Sequence, residues 1–88
     1  RYAYTPSIMN FVNDTLYTFR THFEDSLRVR KIRIDWVQAV MENPDNYELS
    51  KSSDYHIYDG MIDGYKEPLR VVVDESTHEL VTAYFIEP

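Results

Sequence analysis

Residues 69–86 read LRVVVDESTHELVTAYFI, and this stretch decides the fold. Leu69–Asp74 and Glu79–Ile86 are rich in β-branched and aromatic residues, the composition of strands. The connector Glu75-Ser76-Thr77-His78 has hairpin length, so the two are expected to pair antiparallel. Upstream, Tyr47–Leu49 and Tyr55–Tyr58 are shorter strand candidates separated by the polar turn Ser50-Lys51-Ser52-Ser53. Gly60 and Gly64 mark loops around an acidic, tyrosine-rich insertion.

The first half supplies helices. Thr15–Thr21 (TLYTFRT) reads as a strand that His22 ends. Residues 23–31 place Glu24 and Asp25 in a first turn and Arg28, Arg30 and Lys31 in a last turn, the order that the helix dipole favours. Phe23, Leu27 and Arg30 fall on one stripe of that helix. A second helix from Ile34 to Asn43 carries Trp36, Val37, Val40 and Met41 on one face and stops at Asn43-Pro44. Residues 1–14 read as an N-terminal extension or a short helix, with Thr5-Pro6 as its start and Ile8, Phe11 and Val12 on one face. The expectation is one α+β domain over residues 15–88: two helices packed on an antiparallel sheet in the order β-α-α-β-β-β.

Composition bounds the function. In 88 residues, 43% hydrophobic and 27% charged, there is room for a single small globular domain. With no cysteine there is no disulfide and no thiolate nucleophile or metal ligand. No apolar run reaches about 18 residues, and the N-terminal apolar residues are broken by Asn10, Asn13 and Asp14. A soluble cytoplasmic domain without membrane contact is expected. The formal charge of −6 disfavours sequence-independent nucleic-acid binding, which draws its free energy from cations on phosphates. The bases are unevenly placed, however. Residues 20–33 hold Arg20, Arg28, Arg30, Lys31 and Arg33 against Glu24 and Asp25 (5 − 2 = +3), whereas residues 34–68 hold eight acids against Lys51 and Lys66 (2 − 8 = −6). An anion site therefore belongs to the first half.

His22, Arg30 eight positions on, Ile32, the helix with Trp36, Val37 and Val40, and the Asn43-Pro44 stop occur in an order and spacing that resembles a small bacterial family. That family, of unknown function, is allied to the BrnT and RelE/ParE-like toxins, and LRVVVD followed by LVTAYF is similar to its terminal hairpin. The resemblance covers roughly residues 15–86. It implies a RelE-like sheet with two helices and a partner antitoxin. RelE-like toxins cleave mRNA, and ParE-like relatives poison gyrase. Ser26 stands where members often carry arginine and Lys31 where they often carry glycine. The chain given ends at Ile86-Glu87-Pro88, where many relatives continue with a basic tail.

Metal-independent RNA cleavage needs a base for the ribose 2′-hydroxyl, stabilisation of phosphorane charge and a proton for the leaving oxygen. His22 is the base candidate beside the basic strip, Arg28 and Arg30 are candidates to hold phosphate, and Tyr84 is a donor or stacking platform. Each has a plainer role: His22 as a capping or buried hydrogen-bonding residue, Arg30 in a fork pair with a carboxylate, Arg28 solvated, Tyr84 packed in the core. His22, His56 and His78 lack zinc-ligand spacing, and Asp59 and Asp63 lack the rest of a calcium loop, so no metal or other cofactor is expected. Tyr47, Tyr55, Tyr58 and Tyr65 in the acidic half offer another reading, a protein-binding module with an acidic, tyrosine-rich face.

Overall fold

The computed structural model describes residues 10–12, 15–50 and 54–87. The elements are β1 (Asn10–Val12), β2 (Thr15–Phe19), α1 (Phe23–Arg30), α2 (Ile34–Glu42), β3 (Asn46–Leu49), β4 (Tyr55–Gly60), β5 (Leu69–Asp74) and β6 (Glu79–Phe85). The class is α+β, with both helices packed on one sheet whose strand order is β1-β2-β6-β5-β4-β3. From β3 to β6 every neighbour is antiparallel, but β6 lies parallel to β2 through Thr18–Glu79 and Phe19–Leu80. The sheet is thus mixed rather than wholly antiparallel. Turn chemistry fixes the direction of consecutive strands, whereas β2 and β6 are joined only through both helices and three strands.

Side-chain alternation gives the sheet two unlike faces. On β5, Leu69, Val71 and Val73 are buried under the helices while Arg70, Val72 and Asp74 face the other way. β6 breaks strict alternation: Leu80 and Ala83, three apart, are both buried. The register shifts between Val72 and Val73, which leaves Val81 as the extra residue of a bulge. Phe23 and Leu27 of α1 and Val37, Val40 and Met41 of α2 complete the core. At Gly60 an added Cβ would stand 3.1 Å from a Val40 methyl, so glycine there lets β4 approach α2.

Residues 10–12, expected within an extension or a helix, form a strand that pairs with Thr15–Tyr17 and buries Val12. Thr5-Pro6 and Ile8 lie outside the described residues, as does the turn at residues 51–53. No helix among the described residues is long and apolar enough to cross a membrane.

At the α1–α2 corner the backbone conformation disfavours the residue that occupies it. Lys31 adopts the left-handed conformation (φ 59°), with its N–H donating to Arg28 O and the Ile32 N–H donating to Leu27 O. That geometry closes a helix at little cost with glycine and at a greater cost with a side chain. Lys31→Gly is therefore expected to stabilise the fold by about 1 kcal/mol, raising Tm by about 4–8 °C in a domain of this size. Thermal unfolding checks it, and an unchanged or lower Tm would contradict the account.

Candidate functional site

The four residues singled out from the sequence lie along α1 and the β6 edge beside it. His22 precedes α1 in the left-handed region (φ 72°), an uncommon backbone conformation for a histidine. Its side chain is 81% exposed and caps nothing, so neither the capping nor the buried role holds. His22 Nδ1 stands 3.8 Å from Asp25 Oδ2, and Arg28 Nη2 donates to the other oxygen of the same carboxylate. His22, Asp25 and Arg28 follow at spacing three, which sets them along one helical face.

Arg30 leaves the opposite end of the helix. β2 pairs with β6 at Glu79 and Leu80, and further along β6 the edge carbonyls have no strand partner among the described residues. Arg30 Nη1 uses that opening, donating to Ala83 O at 3.0 Å and to Thr82 Oγ1 at 3.1 Å, and its guanidinium lies 6.0 Å from the Tyr84 ring centroid. The carboxylate partner expected of Arg30 is absent among the described residues. Tyr84 is half-buried on the helix-free face, opposite Arg70 in the β5–β6 register. Thus Arg30 and Tyr84 meet, and His22 and Arg28 share Asp25. His22 and Arg30 stand at opposite ends of α1, about 12 Å apart at the usual rise per residue, while Arg28 shares the last turn with Arg30.

The rest of the basic strip is mostly neutralised. Arg20 donates to Asp74 at 2.6 Å, to Glu79 at 2.9 Å and to the Tyr55 hydroxyl at 2.8 Å. The Ser76 hydrogen bonds and then Arg20 hold Asp74 down to about 2. Arg33 pairs with Asp35. Of the five bases, Arg30 and Lys31 have no carboxylate partner among the described residues.

No family model, curated protein or solved structure matches the chain.

The tyrosines of the acidic half do not share one surface. Tyr55 lies on the helix-free face with Arg20, Tyr47 and Tyr58 lie on the helix side, and Tyr65 stacks on Phe85 at 4.4 Å beside Trp36. Asp59, one of the eight acids of residues 34–68, is buried and accepts two hydrogen bonds from Arg70 at 2.8 and 2.9 Å. Arg70 holds its carboxyl below the usual carboxylate range.

A second polar cluster went unread in the sequence. Glu75 Oε2 accepts hydrogen bonds from Tyr17 (2.9 Å) and Tyr58 (3.1 Å), and His78 Nε2 stands 3.8 Å from Oε1. The Tyr47 ring packs on Tyr58, and its hydroxyl hydrogen-bonds His56 Nδ1. Burial, and next to it the Glu75 carboxylate, push both the Tyr17 and Tyr58 phenols well above the ordinary tyrosine range. The two are kept as neutral donors with Glu75 as their acceptor, which makes this cluster a structural tie between β2, β4 and the β5–β6 turn. Among the described residues no group of three or more His, Asp or Glu is set to hold a metal.

Proposed function

We propose that this chain is a RelE/BrnT-like toxin-fold protein that acts in the cytoplasm with an antitoxin-type partner and contacts single-stranded RNA along the outer surface of α1. The observation that carries the reading is Arg30: a guanidinium beside an aromatic face, with no carboxylate partner among the described residues. Phosphate on Arg30 and a base against Tyr84 is the combination that single-strand binders use. As a metal-independent ribonuclease, His22 oriented by Asp25 would take the 2′-hydroxyl proton, and Arg28 would face the phosphorane charge. His22 and Arg30 are too far apart to hold one phosphate, so they serve successive positions of an extended strand. Tyr84 accordingly serves as the stacking platform.

Binding should be weak and salt-sensitive. Two phosphate contacts, Arg30 and Lys31, give a slope of about −1.4 in log K against log salt, or about sevenfold weaker binding from 50 to 200 mM. Fluorescence anisotropy with a single-stranded RNA oligomer measures this. Arg30→Ala is expected to halve the slope, and His22→Ala to abolish cleavage while leaving binding intact. An absent interaction, or one indifferent to Arg30→Ala, would sink the reading.

A second reading, a protein-binding module, has its own observation. Glu48, Asp54 and Asp63 are exposed and make no ion pair among the described residues. Charge reversal at these positions tests it. Asp59 is unsuitable because its reversal would break a buried pair.

A further inference from the structure

Among the described residues, the edge of the sheet at β3 is open. β3 stands last in the strand order, and all four of its residues are exposed. Ser50 N donates to Tyr55 O, and the pairs continue as Leu49–His56, Glu48–Ile57 and Tyr47–Tyr58. Antiparallel ladders alternate bonded and non-bonded pairs. Counting from Ser50, Glu48 bonds towards β4, while the N–H and C=O groups of Tyr47 and Leu49 point away from it. The side chains of these same two residues are 46% and 60% exposed. An edge of this kind is a template for another strand.

Charge says what kind of strand. Residues 42–54 hold Glu42, Asp45, Glu48 and Asp54 against Lys51 alone. All four acids are exposed. An open cleft lined by Val40, Glu42, Asp45, Met61 and Ile62 begins where β3 begins, with an acidic rim over an apolar floor. A second copy of the chain is a poor occupant, because two-fold antiparallel pairing of β3 with itself brings like charges at Glu48 together. We propose that β3 accepts an extended, basic segment of a partner protein as an added strand, its backbone bonded to Tyr47 and Leu49 and its lysine or arginine side chains facing Glu48 and Asp54. This deepens the protein-binding reading above and rests on it.

The test uses an eight-residue peptide alternating lysine with valine, its glutamate–valine counterpart, and the full chain. The basic peptide is expected to bind with Kd at or below about 1 mM, the acidic one not to bind. Hydrogen exchange followed by NMR should show the Tyr47 and Leu49 amides protected on binding. Leu49→Pro removes an outward N–H without touching the β3–β4 ladder, a placement that edge strands tolerate. It should weaken binding about tenfold, as should Glu48→Lys with Asp54→Lys. Binding that leaves those two amides unprotected, or that Leu49→Pro leaves unchanged while charge reversal abolishes it, overturns strand addition and spares the acidic surface. Indifference to both changes, or no binding at millimolar peptide, overturns both. A self-associated dimer that protects the same amides in sedimentation and exchange measurements overturns the choice of occupant.

Discussion

Asp59→Ala is expected to destabilise the protein by about 2–3 kcal/mol and to lower Tm by about 10–20 °C. Asp59 is 6% exposed, and both of its oxygens bond the Arg70 guanidinium. Removing one partner of a fully buried pair costs about 3–5 kcal/mol, because the other is left charged and unpaired. The Arg70 side chain keeps 28% exposure, so water offsets part of that loss and the lower figure applies. Removing both charges, as in Asp59→Val with Arg70→Leu, should be less harmful than Asp59→Ala alone. Asp63→Ala, on an exposed position, should change stability by less than about 0.5 kcal/mol. Urea unfolding of the four proteins checks the order, and an Asp59→Ala loss no larger than that of Asp63→Ala would contradict it.

The same pair sets an acid limb. Arg70 lowers the Asp59 carboxyl and the Ser76 and Arg20 bonds hold Asp74 at about 2, against about 3.9 for an unfolded aspartate. Below the unfolded value the unfolded chain binds more protons, so stability rises with pH in that window. This contribution is complete above about pH 4–5 and lost as pH falls through the folded values. Asp59→Asn should flatten the acid limb of Tm against pH without removing it, since Asp74 remains.

What the sequence disclosed was local. β5 lies where alternation and β-branched residues place it, and both helices sit within a residue of their expected ends. Short-range periodicity, capping dipoles and Asn43-Pro44 act within one element, so they are readable in order along the chain. Three features needed tertiary information: β1, the parallel β2–β6 pairing and the Val81 bulge. The site divides in the same way. His22, Asp25 and Arg28 meet at helical spacing, a pattern visible in the letters. Arg30 reaches Ala83 across 53 positions only because β2 is too short to cover that edge. The split between Tyr55 and Tyr58 is legible in the letters, since residues three apart on a strand face opposite sides. The Glu75 cluster joins residues 58 and 17 positions apart, and no spacing rule announces it.

That cluster yields the second large effect. Glu75→Ala should cost about 2–4 kcal/mol, because two phenols lose their shared acceptor and a buried donor left unsatisfied costs about 1–3 kcal/mol. Tyr17 is 5% exposed, so water has little access to replace the carboxylate. Glu75→Gln keeps a carbonyl acceptor of the same length and should restore most of the loss, which separates hydrogen bonding from charge. The alkaline side carries the matching pH signature. Both phenols titrate above the ordinary tyrosine range in the folded protein, with burial as the leading cause and Glu75 next. A raised folded value favours the protonated form. Its contribution is therefore complete below about pH 10, the unfolded tyrosine value, and is lost as pH rises further. Tyrosinate absorbance followed from pH 9 to 12 should show Tyr17 and Tyr58 ionising only as the chain unfolds, after the more exposed of its eight tyrosines. Since burial leads, the alkaline loss should persist in Glu75→Gln, only shallower. If Glu75→Gln abolishes it, the carboxylate and not burial holds these phenols neutral, and the cluster is an electrostatic site rather than a buried tie.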